Sequence, residues 1–325
     1  MFLSLAIVSL ITFAFMRAIP GNPFDTGKGV PERVQQQLEA KYNLDDPIHW
    51  QYLHYMGDVI IPQVTENELP QTFENDYLIN IYVPVVDQTL RWMNFGPTYR
   101  SPGQTVNDIF RQRFPVSFEL GIAAMIVAMV IGIPAGVIAA LNRNATWDYV
   151  SMSVAIVGVS VPAIVSGPIL RYFFGVELQI LPPTGWGTFQ HIIMPAFVLG
   201  FSSSALLARL TRASLLQVLN EDYIRTAKAK GLNRRTVIVL HAMKNAMIPV
   251  VTVLGPLFAA LVTGSFVTEI IFGIPGMGEY FVTSITNRDY PVIMGTTLMY
   301  GAILIIANLL VDLAYAWLDP RISYS

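Results

Sequence analysis

The sequence predicts an all-α polytopic membrane protein with six transmembrane helices and an extracytoplasmic insert between helices 1 and 2. Hydrophobic residues make up 53% of the chain and charged residues only 13%, whereas soluble domains carry about 25% charged residues. Several apolar segments are long enough to cross a bilayer, which takes roughly 20 residues each. The basic residues are also concentrated in one interhelical loop, which gives the helices an orientation.

The first element is the apolar segment 1–19. A cleaved signal peptide would need a basic stretch before the apolar run, and none is present. We therefore interpret residues 1–19 as the first transmembrane helix.

Residues 20–114 follow as a polar, extracytoplasmic domain. Apolar residues at helical spacing predict amphipathic helices at Pro31–Tyr42 and Pro47–Ile61, and a third at Thr105–Phe114 with an interfacial character. The spacing of His49 and His54 does not place them on one helical face, so no metal site is predicted there.

Residues 115–317 are predicted to form a core of five further membrane helices, with a cytoplasmic loop at 217–245 and a cytoplasmic tail at 318–325. Pro115 is expected to open the second helix, and the third is expected to be interrupted near its prolines. The predicted helices are Pro115–Leu141, Tyr149–Phe174, His191–Leu216, Ala246–Phe272 and Pro291–Trp317.

The orientation follows from the loops. Eight Lys and Arg residues lie between Arg209 and Lys244, where the only acids are Glu221 and Asp222. The loop 175–190 contains no Lys or Arg. Because positive loops stay in the cytoplasm, both termini and loop 217–245 are expected inside, and residues 20–114 outside.

The stretch 220–231 within that loop has the signals of a short helix. Asn220 is a suitable N-cap, acids occupy the first turn and lysines the last, and Gly231 can adopt the left-handed conformation that ends a helix. Asn233 can cap a second helix. A solvated loop would need none of these signals, and the small residues Ala227 and Gly231 offer a face for close docking. We therefore predict a docking element.

Two motifs in this loop resemble a known family. Asp222–Leu232 reads Asp-Tyr-Ile-Arg-Thr-Ala-Lys-Ala-Lys-Gly-Leu, and His241–Pro249 reads His-Ala-Met-Lys-Asn-Ala-Met-Ile-Pro. Both resemble the permease subunits of ATP-binding-cassette (ABC) importers in their oligopeptide/dipeptide and nickel branch. Arg225 and Thr226 stand where the general motif of such permeases has Glu and Ala, as this branch does. The resemblance covers nearly the whole chain except the insert.

The resemblance implies a type I ABC importer permease that forms half of a translocation pathway for peptides. It also implies coupling to a separate ATPase through the helix 221–231. The residues that would carry this coupling are Glu221, Asp222, Tyr223, Ile224, Arg225, Thr226, Ala227, Lys228, Ala229, Lys230 and Gly231.

The implied partners are a second homologous permease subunit, two ATPase subunits, an extracytoplasmic substrate-binding protein and the lipid bilayer, with no nucleic acid. The chain itself is expected to bind no cofactor, with ATP and Mg on the partner ATPases. The implied location is the plasma membrane of a prokaryote.

The chain offers few residues for chemistry of its own. A P-loop needs two glycines at fixed spacing followed by Lys and a hydroxyl, and Gly27-Lys28-Gly29 lacks both the spacing and the hydroxyl. No His-Glu-x-x-His or Gly-x-Ser-x-Gly motif is present, and the chain has no Cys. We expect no catalytic or metal-binding residues. An ion-coupled or passive transporter and an intramembrane hydrolase remain the alternatives.

Polar residues inside apolar segments are candidates for lining the translocation pathway, because ionisable groups in membrane helices often serve function. Small hydroxyl residues also permit close helix packing, and an acid can pair with a polar neighbour, so both interpretations stay open. The candidates are Ser202, Ser203, Ser204, Thr263, Ser265, Glu269 and Asp312.

Overall fold

The computed structural model of the chain describes residues 2–18, 23–24, 39, 42, 44–66, 76–84, 87–101, 103–263 and 266–318. The helix expected at Pro31–Tyr42 lies outside the described residues except for Glu39 and Tyr42. All of the tail beyond Leu318 lies outside them as well.

Helices account for most of the described chain, and three short strands lie between the second helix and the third. The strands are β1 (Gln63–Glu66), β2 (Ile79–Val83) and β3 (Gln88–Trp92). The helices before the coupling region are α1 (Phe2–Ala18), α2 (Ile48–Ile60), α3 (Val106–Leu141), α4 (Thr146–Ser160), α5 (Ala163–Leu170, continued as a π-helix over Arg171–Glu177) and α6 (Phe189–Val218). The later helices are α7 (Asp222–Ala229), α8 (Arg234–Ala246, with a π-helical turn at Val237–Ala242), α9 (Ile248–Thr263), α10 (Phe266–Phe272), α11 (Gly278–Asn287) and α12 (Tyr290–Leu318).

The described helices make this a multi-pass membrane protein. Three of them are long and apolar enough to cross a bilayer, namely Val106–Leu141, Phe189–Val218 and Tyr290–Tyr315. Two bent pairs bring the number to five if each pair is one span: α4 with α5, bent by 99°, and α8 with α9, bent by 50°. Helix α1 is apolar but shorter than these.

The chain continues as a helix through one proline, Pro115, and is broken at another, Pro162. The predicted start at Pro115 is wrong, because α3 runs without a break from Val106 and includes the separate interfacial helix expected at Thr105–Phe114. A single proline removes only one intrahelical hydrogen bond, which a 36-residue helix tolerates. Of the interruptions predicted near Pro162 and Pro168, the first is confirmed, since α4 ends at Ser160 and α5 starts at Ala163, and the second is wrong, because Pro168 lies inside α5.

The all-α prediction needs one correction, because the insert contains an antiparallel sheet with strand order β1-β3-β2. Val64 and Ile81 both pair with Leu90 on the central strand. Ile79, Ile81 and Val83 alternate with polar residues, which is a strand signal that the helical periodicity of the surrounding segments concealed. The fifth predicted helix, Ala246–Phe272, is also divided, because α9 begins at Ile248 and α10 ends the segment.

The chain divides into two compact units. Unit 1 comprises Met1–Pro115 and Glu279–Ala302. Its core includes Val106 and Phe110, with the Phe95 ring edge-on to Phe110 at 5.1 Å. The buried carboxylate of Asp289 accepts the backbone N–H of Tyr99 at 3.1 Å, and so holds the segment after the sheet to the start of α12.

Unit 2 comprises Val116–Gly278 and Ile303–Ser325. Its helices approach each other at backbone distance. A Cβ added to Gly132 on α3 would lie 2.5 Å from the carbonyl oxygen of Ser204 on α6, and one added to Gly200 would lie 2.4 Å from that of Ala124. Glycine at these positions therefore sets how closely α3 and α6 pack.

The charge asymmetry gives a direct test of topology. Asp45 in unit 1 and Lys230 after α7 are both exposed, and the chain has no natural Cys to give background labelling. A Cys replacing Asp45 is expected to react with a membrane-impermeant thiol reagent on intact cells. A Cys replacing Lys230 is expected to react only after permeabilisation. Labelling in the reverse pattern would refute the orientation.

Candidate functional site

Helix α7 is the predicted docking element, and its N-terminus differs from the prediction by one residue. The predicted N-cap Asn220 is wrong, because Glu221 holds the extended backbone before α7 and makes no side-chain cap. Asn220 still belongs to the end of α6: its backbone N–H bonds to Gln217 O, and its side-chain amide donates to Leu216 O at 2.8 Å.

The C-terminus of α7 follows the prediction. Gly231 has a φ of +76°, which a side chain would disfavour. The N–H of Leu232 bonds to Ala227 O at 3.4 Å and that of Gly231 to Lys228 O at 3.0 Å, which is the Schellman arrangement. The next cap is also confirmed, since Asn233 Oδ1 accepts the N–H of Thr236 at 2.7 Å.

The inner face of α7 packs into the chain's own core. Ile224 is completely buried and Ala227 is 7% exposed. Their shared cluster, here called the α7 seat, draws on α3, α6 and α8 and consists of Ala140, Leu215, Ile224, Ala227, Val237, Ala242 and Ala246. The prediction that Ala227 offers a docking face is therefore wrong. The small side chain at 227 is needed because α7 lies close to its own neighbouring helices.

The outer face of α7 is polar and exposed. Its exposed residues are Asp222, Tyr223, Arg225, Thr226, Lys228 and Ala229. At 100° per residue, the centre of this face falls between Asp222 and Ala229, opposite the buried pair. The Tyr223 hydroxyl accepts a hydrogen bond from Asn245 Nδ2 at 2.7 Å, which joins α7 to α8 a second time.

An ion pair joins the first turn of α4 to α6, between buried Asp148 and partly exposed Arg212. Arg212 Nε and Nη2 on α6 donate to Asp148 Oδ1 and Oδ2, both at 2.7 Å. Asn144 N–H also donates to Asp148 Oδ2 at 2.9 Å. Because the Arg212 side chain is 29% exposed, removing it should cost less than the loss of about 3–5 kcal/mol that follows when a fully buried pair is broken. Sequence reasoning missed this pair; an Arg within an apolar helix was the available signal.

The predicted pathway hydroxyls mostly serve their own helices. Ser203 donates to Leu199 O at 3.0 Å, buried Ser204 to Phe201 O at 2.7 Å, and Thr263 to Ala259 O at 2.8 Å. Ser202 is half-buried. Ser204 also stands where α6 touches Gly132, which favours the packing interpretation.

The remaining candidates differ from one another. Ser265 lies outside the described residues. Asp312 is exposed on α12, and no hydrogen bond or ion pair of its side chain is found within the described residues. Glu269 is buried, at 3% exposure.

Glu269 clamps the turn between α10 and α11. Buried Ser117 donates to Glu269 Oε1 at 2.8 Å and accepts the N–H of Met277 at 2.7 Å. Gly278 N–H donates to Glu269 Oε2 at 2.8 Å, and Ile274 N–H to its backbone oxygen at 2.8 Å. These contacts are explained by the structural interpretation of Glu269, in which the buried acid pairs with polar neighbours and fixes the packing of the turn.

The glycines of the same turn are needed for this clamp. A Cβ added to Gly276 would lie 2.4 Å from Glu269 Cδ, and one added to Gly278 would lie 2.6 Å from Phe266 Cα. Glycine therefore allows the backbone to approach the carboxylate closely enough for its N–H groups to bind.

The comparison with known proteins identifies relatives over nearly the full chain. Residues 132–324 match the family model "Binding-protein-dependent transport system inner membrane component". The dipeptide transport system permease protein DppB of Bacillus subtilis is 46% identical over 320 residues, which cover 98% of this chain and 94% of that protein. The oligopeptide transport system permease protein OppB of Haemophilus influenzae is 39% identical over 319 residues, covering 97% and 94%.

A solved structure is similar in fold. An inward-facing structure of the MetNI methionine ABC transporter matches with a TM-score of 0.54 at 15% identity, covering 65% of this chain and 96% of the matched chain. At this identity the similarity shows a shared fold and carries no statement about substrate.

The clamp can be tested by removing its hydroxyl. Replacing Ser117 by Ala leaves Met277 N–H without that acceptor, a loss of about 1–3 kcal/mol for a buried group. We expect hydrogen exchange at Met277 and Gly278 to accelerate by roughly five- to over a hundredfold, since 1.4 kcal/mol is a factor of ten. Ser160→Ala is the matched control, because that hydroxyl is exposed and bonds within its own helix. Unchanged exchange in Ser117→Ala would refute the clamp.

Proposed function

Because the chain belongs to the family of binding-protein-dependent transport system inner membrane components, we propose that it is the transmembrane subunit of an ATP-driven peptide importer, forming half of the translocation pathway. The observation that carries this proposal is the near full-length similarity to permeases named for dipeptide and oligopeptide transport. It is a transporter subunit rather than an enzyme.

The proposed architecture has six spans, namely α1, α3, α4 with α5, α6, α9 with α10, and α12. The extracytoplasmic domain is residues 20–114, the permease core is residues 115–317, and the loop 217–245 and the tail 318–325 lie in the cytoplasm. Three of the core spans are single long helices, and the bent pair α4 with α5 supports a fourth. The membrane is the plasma membrane of a prokaryote.

The importer is completed by partners. ATP and Mg bind to two ATPase subunits, a second homologous permease supplies the other half of the pathway, and an extracytoplasmic binding protein delivers the peptide. Peptides differ in their side chains, so the pathway itself is wide and the binding protein selects. We assign Ser202 and Asp312 to the pathway, since neither side chain is buried.

Helix α7 couples the membrane helices to the ATPase through its outer face. The outer face combines the small side chain of Ala229 with the long side chains of Arg225 and Lys228, and all three are exposed. The inner face is held in the α7 seat by side chains from α3, α6 and α8. A displacement of α7 by the ATPase would therefore act on three helices of the permease core.

An ion-driven transporter is the alternative function. A proton relay needs several coupled acids within the membrane. Of the two acids in question, Glu269 is held by a serine and by backbone N–H groups, and Asp312 is exposed. No contact in the described part of the chain joins the two, so this alternative has little support.

Two identical substitutions on opposite faces of α7 test the coupling proposal. Ala229→Trp places a large ring at the centre of the outer face. Overpacking in a tight cleft costs about 1–3 kcal/mol, which weakens ATPase binding roughly five- to over a hundredfold. We expect normal abundance in the membrane, reduced co-purification of the ATPase and little peptide uptake.

Ala227→Trp is the matched comparison. It overpacks the α7 seat, so we expect lower thermal stability of the permease itself, which Ala229→Trp should leave unchanged. Lys228→Ala, at the flank of the outer face, is expected to be milder than either. Full ATPase association and parent-rate uptake in Ala229→Trp would exclude this face, and coupling would then move to the turn Asn142–Asp148.

A further inference from the structure

Helix α2 in unit 1 carries an exposed apolar stripe. Trp50, Leu53 and Ile60 are each at least 50% exposed. With Gly57 they follow at spacings of three, four and three residues, which places all four on one side of a helix. A Cβ added to Gly57 would meet no atom of the described chain within 4 Å, so this side is open there too. We call these four residues the α2 stripe.

Another side of α2 packs against α1. The Tyr52 ring lies 5.3 Å from the ring of Phe13, and its hydroxyl lies 2.8 Å from the Oγ of Ser9, which is completely buried. Met56 and Val59 are buried as well. At 100° per residue, Tyr52 lies about 120° from the centre of the stripe. The stripe therefore faces away from the contact with α1.

The contact with α1 sets the depth of α2 along the first span. The 17 residues of α1 extend about 26 Å, and the hydrocarbon core of a bilayer is about 30 Å thick. The whole of α1 is therefore needed to cross the core. Phe15 is 69% exposed and lies closer to the extracytoplasmic end of α1 than Phe13 does. Lipid that covers Phe15 therefore also reaches the level at which α2 contacts Phe13.

The side chains of α2 suit lipid better than water. The helix contains no Lys or Arg, and its only acid, Asp58, lies about 120° from the centre of the stripe. The outer side of a helix that faces water is normally charged. Here the stripe is flanked by His49 and His54, whose rings lie 5.7 Å and 5.8 Å from that of Trp50. Such rings combine apolar surface with N–H groups, and Trp is enriched where hydrocarbon meets water.

The apolar surface continues past the end of α2. Trp92 of β3 donates its indole N–H to the Ile60 carbonyl oxygen at 2.9 Å. Trp92 and Ile61 are both exposed. A contiguous exposed apolar patch marks a site of protein or membrane contact, so this one calls for a partner.

We propose that α2 is an interfacial helix whose stripe is embedded among the acyl chains of the outer leaflet of the phospholipid bilayer. The lipid that covers Phe15 continues across the stripe, since α1 and α2 are in direct contact. A protein that docks from the aqueous side would have to displace this lipid. The insert is thus anchored at the membrane along α2, in addition to its attachment to the spans. The inference rests on the proposed topology, and it holds whichever substrate the importer carries.

Spin labels test the environment of the stripe directly. A nitroxide is attached at Leu53→Cys or Ile60→Cys in the full-length permease, assembled with cysteine-free partner subunits in nanodiscs of phosphatidylethanolamine and phosphatidylglycerol. Collisions with oxygen, which concentrates in hydrocarbon, are compared with collisions with a polar nickel chelate. We expect oxygen collisions to exceed chelate collisions by about threefold or more at both positions, because the hydrocarbon core excludes the polar chelate.

Asp45→Cys is the matched control. Asp45 is exposed and lies just before α2, and we expect its label to meet the chelate at least as often as oxygen. All three substitutions replace exposed side chains, so each labelled permease should keep the parent melting temperature.

Trp50 provides a readout without a label. The fluorescence lost in Trp50→Phe measures the emission of Trp50, whatever the other Trp residues contribute. We expect this difference to fall about twofold or more when the acyl chains of the nanodisc are brominated. An interfacial helix places its apolar face about 5–10 Å into the acyl boundary, within reach of the bromine atoms.

Two outcomes would overturn the inference. More chelate than oxygen collisions at Leu53 and Ile60, with the emission of Trp50 unquenched, would place the stripe in water. Few collisions with either reagent would assign it to a protein neighbour. Labelling of Asp45→Cys on intact cells tests the topology separately, and peptide uptake by the labelled complexes tests the proposed function. A failure of either is therefore recognised apart from a failure of this inference.

Discussion

The packing of Ile224 beneath α7 is the contact on which the α7 seat depends. An eight-residue helix is too short to be stable alone in water. Burying an isoleucine side chain contributes roughly 1.5–3 kcal/mol, and Ile224 is completely buried among residues from α3, α6 and α8. The Schellman turn at Gly231 and the Tyr223–Asn245 hydrogen bond then orient the helix. The outer face can be polar because the buried Ile224 and Ala227 on the inner face supply the apolar packing of the helix.

Local signals in the sequence were sufficient for the end of this helix and for the start of the next. Gly231 and Asn233 act through atoms within a few residues of themselves, so their roles could be predicted. The role of Asn220 could not, because it depends on where α6 ends. The burial of Ala227 could not be predicted either. Helix α7 also carries Ala229 on its opposite face, and only the surrounding helices decide which of the two alanines is buried.

Contacts between distant residues explain the other differences. Ser117 and Glu269 are 152 residues apart, and Asp148 and Arg212 are 64 apart, so neither pair has a sequence spacing that indicates contact. Pro115 and Pro162 each remove one backbone N–H donor from a helix. Helix α3 nevertheless continues through Pro115, whereas the chain bends by 99° between α4 and α5 at Pro162. The surrounding packing therefore decides whether a proline breaks the helix. The membrane segments themselves followed from composition, because a bilayer requires long apolar helices whatever their neighbours.

The spacing of Asp148 and Arg212 also has a consequence for how the chain is made. Ribosomes add about 5–20 residues per second, so Asp148 leaves the ribosome roughly 3–13 s before Arg212 does. During that interval Arg212 is absent, and Arg143 is the cation whose charge also acts on the Asp148 carboxylate. The ion pair can therefore form only after this part of α6 has been synthesised, so α4 is joined to α6 by a contact that its own segment of the chain cannot supply.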